Sequence, residues 1–348
     1  DLNAYTNKQG TVYHATVLKA QFARAAYLLT DIVFHSTFPQ REIDKEVDVI
    51  CDEIESFKDS PSELIFDEFE QRLFAGSPLG RDILGTARRL KTYTTADALR
   101  FTRRHYRPEN AVFFLSGDIE GKKAARTLKR LFEKYPIPEP EPAEKAFAAA
   151  PSEQISAPAA HCFDVSVNKD THQAHVMIGA PTFGGNDPRR FALLLLNNML
   201  GGPGMSSRLN IALRERAALV YSVDSYISTY PDAGYWHVYF GCDGADVPRC
   251  CRLVRRELRR LAETPLTPAR LAAAKAQLCG QIGIAQDNGE SRALALGRTY
   301  AEYGTVRDVA LLRRNIEAVT AEDIRSLAAE IFAPERLCRL VYMPKAED

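Results

Sequence analysis

Two carboxylates are the first residues whose type and spacing suggest chemistry. Between Gln40 and Phe57, residues Ile43, Val47, Ile50, Ile54 and Phe57 recur at intervals of four and three, the apolar stripe of an amphipathic helix. At roughly 100° per residue, Glu46 and Glu53 fall about 60° and 80° from the centre of that stripe, on its border. Asp48, Asp52 and Glu55 fall about 120–180° away, on the solvated face. Seven residues make two turns, so Glu46 and Glu53 stand above one another on one flank. A carboxylate beside a buried stripe has to be paired, hydrogen-bonded or metal-bound, or else reach past the border into water.

The other candidates are weaker. Histidines 14, 35, 105, 161, 172, 175 and 237 form neither H-E-x-x-H nor H-x-x-E-H, so no complete metal motif is present. His172 and His175 open a strand, where a spacing of three turns the rings to opposite faces and makes them structural. His14 also belongs on a strand face. Gly201-Gly-Pro-Gly-Met-Ser-Ser207 resembles a phosphate loop, yet it follows a helix and lacks both Gly-Lys-Ser/Thr and the third glycine of G-x-G-x-x-G. It reads as a helix-to-helix turn with Ser206 or Ser207 as N-cap. No G-x-S-x-G elbow occurs. Cys51 and Cys279 lie mid-helix among apolar neighbours, as small core residues do.

The elements that position these residues divide at a proline-rich segment. Residues 136–158 hold six of the 19 prolines, several at alternate positions, which forbids helix and central strand and implies a stiff, extended linker. Two domains follow, 1–135 and 159–348. The first reads as a strand over 11–18, helices over 20–35, 40–57, 61–74 and 95–105, a buried strand at 111–115 and a helix over 120–134. The second reads as strands near 160–168, 173–180, 219–229 and 234–241, with helices near 187–200 and 206–216. Helices then fill about 248–332, and a last strand closes at 337–342. Strands and helices mix in both parts, which gives an α+β class with two similar domains, each a mostly antiparallel sheet packed on helices.

The two parts echo one another. Thr94-x-x-Asp97, Tyr106, Pro108-Glu109 and a strand at 111 match Thr320-x-x-Asp323, Phe332, Pro334-Glu335 and a strand at 337, all at an offset of 226 residues. Thr as N-cap with an acid at N3 starts each helix, and proline stops it. Six features at one offset favour duplication over convergent capping.

Composition sets the outer limits. The 348 residues carry 45 Lys plus Arg and 45 Asp plus Glu, so a neutral chain offers no footprint for nucleic acid or an anionic membrane. The longest strongly apolar run, Phe191–Leu196, is far too short to span a bilayer. Seven cysteines, an odd number without C-x-x-C, suit free buried thiols better than a disulfide framework. The chain opens at Asp1-Leu-Asn-Ala-Tyr5 in mid-pattern, without Met or a signal region, and reads as one whose true start lies upstream.

An ordered set of segments then points to a family. Leu2-Asn-Ala-Tyr-Thr6, Thr11-Val-Tyr13 and Leu29-Thr-Asp-Ile-Val33 come first. Ile43-Asp-Lys-Glu46 through Glu53-Ile, Pro78-Leu-Gly-x-x-Ile-Leu-Gly85 and Tyr106-x-Pro-x-Asn110 follow. Together they resemble the first domain of the pitrilysin/insulinase family of inverted-motif zinc peptidases, which includes mitochondrial processing peptidase. Leu200-Gly-Gly-x-Gly-Met-Ser-Ser-Arg-Leu209 and Leu213-Arg214-Glu-x-x-x-Leu-Val-Tyr221-Ser resemble its second domain.

The resemblance implies a zinc endopeptidase that cleaves peptides or unfolded segments. It makes Glu53 the third zinc ligand, Glu46 the supporting acid beside it, and Arg214 and Tyr221 the pair that binds substrate near the metal. In such a site, a zinc-bound water is deprotonated by a glutamate and attacks a peptide carbonyl, with Tyr221 and Arg214 donating to the developing oxyanion. The family's H-x-x-E-H lies about 25 residues before the Asn-Ala-Tyr segment, where this chain begins. Two histidine ligands and the general base are therefore absent from the 348 residues, and the chain as it stands is expected to be inactive. A second two-domain chain is expected to complete a chamber, as homodimer or heterodimer, with no membrane span. A cytoplasmic location is expected ahead of a periplasmic one. The alternative is a non-catalytic partner subunit of the same fold, against which the retention of Glu46 and Glu53 counts.

Overall fold

The computed structural model describes residues 1–137, 161–306 and 308–345, so all but the first two residues of the expected linker lie outside the described residues. The fold is α+β. Its residues form two compact units that are interleaved along the chain. One holds residues 1–55, 82–137 and 286–306, and the other holds 56–81, 161–285 and 308–345.

The first unit opens with β1 (Leu2–Thr6) paired antiparallel to β2 (Thr11–Ala15). Helices α1 (Phe22–Phe34) and α2 (Gln40–Lys58) follow, and α2 passes from the first unit into the second. After α3 (Pro61–Leu73), which lies in the second unit, come α4 (Ala87–Leu90), α5 (Thr95–His105) and α6 (Gly121–Lys134). The Gln40 side chain fixes the start of α2, accepting from the Thr95 amide at 2.9 Å and donating to the Tyr93 carbonyl at 3.3 Å.

The second unit is a five-stranded sheet in the order β3-β7-β4-β6-β5, comprising β3 (Asp164–Lys169), β4 (Ala174–Phe183), β5 (Val223–Thr229), β6 (Ala233–Cys242) and β7 (Cys338–Pro344). All its pairings are antiparallel except β3 with β7. Successive side chains on a strand face opposite ways, so the buried run of β4 supplies two cores. Val176, Ile178 and Ala180 join Trp236, Val238 and Phe240 against α7 (Arg190–Gly201), α8 (Val247–Glu263), α9 (Pro268–Ala285), α11 (Val309–Ala318) and α12 (Ala321–Ile331). On the other face Met177, Tyr235, Leu340 and Tyr342 pack under Ile65, Phe69 and Leu73 of α3. The remaining helix, α10 (Gly289–Tyr303), belongs to the first unit. Among the described residues no helix is long and apolar enough to cross a membrane, and all seven cysteines are free.

The echo between the two parts is physical. Thr94 and Asp97 form a complete capping box at α5, and Thr320 and Asp323 form the same box at α12. A short 3-10 turn follows each, Pro108–Asn110 and Pro334–Arg336. There the correspondence stops. Cys338–Pro344 becomes β7 between β3 and β4, but Ala111–Leu115, expected as a buried strand, pairs with no strand among the described residues. Val112, Phe113, Phe114 and Leu115 stand 36–43% exposed. An apolar run specifies a side-chain pattern, but a strand also needs a neighbour to take its backbone hydrogen bonds, and 111–115 has none.

His237 is the least expected core residue. It lies on β6 at 3% exposure with Phe66, Tyr226 and Tyr235 around its ring, and neither ring nitrogen has a hydrogen-bond partner among the described residues. Burial pushes its pKa down to about 3, so it is held neutral. An unfolded histidine titrates near 6.5, so between about pH 6.5 and 3 the unfolded chain binds a proton that the folded chain refuses. Stability therefore falls as pH is lowered through that window. Replacing His237→Phe is expected to flatten this acid-side fall in melting temperature between pH 7 and pH 4. Melting curves of variant and parent that run parallel across this range would contradict the assignment.

Candidate functional site

The two carboxylates on α2 stand where the helical geometry put them, on one flank separated by two turns, or about 10 Å of helix axis. Val47 is buried, Ile43, Ile50, Ile54 and Phe57 are half-buried, and Glu46 and Glu53 are both exposed. Neither has a hydrogen-bond or ion-pair partner among the described residues. Glu42 takes up two of the helix's own cations, with Arg41 at 3.0 Å and Lys45 at 3.1 Å. Because Glu46 and Glu53 reach water, their charge carries no burial cost, and both remain free to accept a cation.

Among the described residues no three His, Cys, Asp or Glu side chains stand together as a metal site. A catalytic zinc needs three protein ligands and an open position, so the donors present do not by themselves fit that ion. The histidines are engaged elsewhere or isolated. His175 Nδ1 lies 2.8 Å from the Tyr239 hydroxyl, and burial pushes its pKa down. His14 Nδ1 lies 3.5 Å from Glu290, and His172 is exposed.

Arg214 and Tyr221 are brought together. The Arg214 guanidinium carbon lies 5.9 Å from the centre of the Tyr221 ring, and Tyr221 is 89% exposed. The stretch expected as an ordinary helix over 206–216 instead winds as a π-helix over Asn210–Glu215, with the Arg216 amide donating to the Ile211 carbonyl five residues back. Ala218 then takes a left-handed conformation, φ 52°, while its amide donates to the Arg214 carbonyl and Leu219 donates to Leu213. This reversal returns the chain past Arg214 and delivers Tyr221 just ahead of β5. Being last in the sheet order, β5 pairs among the described residues on one side only, with β6.

The 201–207 segment is a turn, as expected, and Ser207 stands at the N-cap position, its carbonyl accepting from the Ile211 amide at 3.0 Å, although its side chain makes no cap. Ser207 Oγ is buried without a partner among the described residues, and Asn210 Nδ2 ties the turn by donating to the Met205 carbonyl at 2.6 Å. Gly201 is required by close approach, since a Cβ there would stand 2.6 Å from Ser225 Cβ. Below it runs a buried relay in which Trp236 Nε1 donates to Ser225 Oγ and Ser225 donates to Asn197.

The chain as a whole is similar to known proteins. Residues 92–278 match a family model described as the peptidase M16 inactive domain, and residues 1–87 match that of insulinase, peptidase family M16. A protein of Streptomyces coelicolor named an uncharacterized zinc protease is 31% identical over 331 residues, covering 95% of this chain and 71% of its own length. The crystal structure of a peptidase M16 inactive domain from Pseudomonas fluorescens superposes with a TM-score of 0.87 at 19% identity, covering 100% of this chain and 81% of that one. A chain of Complex III2 from Candida albicans follows at a TM-score of 0.82 and 17% identity, covering 98% and 81%. At those identities the structural likeness establishes the fold. The family matches establish more: this chain belongs to peptidase family M16.

The strained residue between Arg214 and Tyr221 is open to test. A non-glycine residue in the left-handed region costs roughly 1–2 kcal/mol, and glycine returns part of that as chain entropy. Ala218→Gly is expected to raise stability by about 0.5–1 kcal/mol, a gain of a few degrees at most in melting temperature. A lowered melting temperature would show that the methyl group packs favourably where the backbone argument finds only strain.

Proposed function

We propose that this chain serves zinc-dependent peptide hydrolysis of the M16 type, contributing Glu53 as one metal ligand. Glu46, two turns away on the same flank, orients and charges that site from behind the ligand. Arg214 and Tyr221 hold the substrate. The open edge of β5 beside them suits an extended peptide, which gains affinity from main-chain hydrogen bonds with little side-chain selectivity. The observation that carries the reading is the pair of unpartnered, exposed carboxylates on α2. Two further ligands and a general base would have to come from outside the described residues, and the 348 residues alone are expected to be inactive. Zinc, once held, would acidify a bound water.

A second reading is a non-catalytic partner of the same fold. It is favoured by the inactive-domain model that matches 92–278. Both readings include a second two-domain chain. They separate by complementation between chains extended to include H-x-x-E-H. A Glu53→Gln chain keeps Arg214 but loses the metal, and an Arg214→Ala chain keeps the metal. Each alone should be severely impaired. If Arg214 serves the partner's metal, the mixed dimer rebuilds one of two sites and recovers up to about half the activity, because such groups act as a unit. An extended wild-type chain without peptide cleavage would rule out the catalytic reading.

A further inference from the structure

The chain is neutral overall, yet individual helices carry an excess of one sign, among them the basic α6 and α8 and the acidic α2. Helix α8 carries Arg249, Arg252, Arg255, Arg256, Arg259 and Arg260 against two glutamates, and all six arginines are exposed. Its apolar side, including Val254, Leu258 and Leu261, is buried in the core. At 100° per residue the six arginines occupy a band roughly 140° wide and about 16 Å long. Glu257 is buried and shared among Arg208 at 3.8 Å, Arg256 at 3.5 Å and Arg260 at 2.8 Å. Arg249, Arg252, Arg255 and Arg259 have no acidic partner among the described residues.

Helix α2 is the counterpart. It carries seven acids and three bases, and Asp44, Asp48, Asp52 and Glu55 recur at intervals of four, four and three on its solvated face. From Asp44 to Glu55 is eleven residues, the same span as Arg249 to Arg260. Asp48 and Asp52 have no ion-pair partner among the described residues. Glu46 and Glu53 stand about 145–165° from the centre of this band, so occupying it leaves them clear.

We propose that the arginine band of α8 docks on the acidic band of α2 in a second copy of this chain, the contact being made twice about a twofold axis. Arginine suits this role, because its planar fork binds carboxylates in pairs. A membrane is disfavoured, since a helix lying on lipid must turn apolar side chains outward and α8 turns them into the core. Nucleic acid is disfavoured by the acidic band that the same neutral chain exposes. The proposal rests on the two-chain part of the reading above and on none of its chemistry.

Exposed ion pairs are individually weak and screened by salt, so the contact should be weak and salt-labile. The test is sedimentation of the intact chain at about 50 mM and about 500 mM NaCl, where screening differs severalfold. Two variants are compared, Arg252→Glu/Arg255→Glu/Arg259→Glu and Asp48→Lys/Asp52→Lys, with circular dichroism melting to confirm that both fold. The wild type should dimerise at low salt and dissociate at high salt, and each variant alone should bind itself roughly tenfold more weakly or worse. An equimolar mixture of the variants should regain the wild-type dimer, because both contacts then join opposite charges. A dimer indifferent to both reversals overturns this docking face and leaves the two-chain reading standing. A wild type monomeric at both salts overturns both. A monomer that instead binds duplex DNA, and loses it with the arginine variant, assigns the band to nucleic acid and overturns the proposal.

Discussion

Strand β4 is buried on both faces, and the structure follows from what covers the second one. Helices α7, α8 and α12 close one face, as local connections allow. The other face, with Met177, Tyr235, Leu340 and Tyr342, needs an apolar cover that the strands' own neighbours do not supply. Helix α3 supplies it from the opposite end of the chain, with Ile65, Phe69 and Leu73 fully buried. Burying each such side chain contributes roughly 1.5–3 kcal/mol, more than any surface ion pair here can. Two carboxylates of α3 complete the seal, Glu68 accepting from the Tyr342 hydroxyl and Glu70 from Tyr230. Helix α3 follows α2 after only Asp59 and Ser60.

The candidate groups differ in how they are held. Glu46 and Glu53 depend only on helical periodicity and solvent access, and nothing in their surroundings competes for them. Arg214 and Tyr221 depend on an irregular stretch, a π-helix followed by a left-handed alanine, and neither has a regular element to hold it. Backbone of this kind persists when its surroundings enforce it, and it concentrates at sites where side-chain placement matters more than local stability. Leu213, Val220 and Val223 are buried on either side and provide that enforcement.

Features governed by near neighbours were legible in the sequence. The stripe of α2, both capping boxes, the proline turns after them and the alternation along β6 need only a few residues of context. Tyr235, His237 and Tyr239 share a face by simple alternation, although nothing local says that His237 would be sealed in without a partner. Ala111–Leu115 and Cys338–Pro344 look alike as sequence, and only the second finds neighbouring strands. The placement of α3 depends on contacts far along the chain, and the π-helix depends on a single extra residue in a turn. Neither leaves a periodic trace. Helical geometry alone singles out Glu46 and Glu53, and so their role is open to direct test.

That test is the zinc content of the chain extended to include H-x-x-E-H, measured for the parent and for two substitutions one residue apart. Glu53→Gln removes the proposed ligand on the stripe-border flank. Asp52→Asn removes an equal charge from the solvated face of the same turn. The account predicts a full zinc complement in the parent and in Asp52→Asn, with a large loss in Glu53→Gln. Equal zinc in both variants, whether retained or lost, would contradict it.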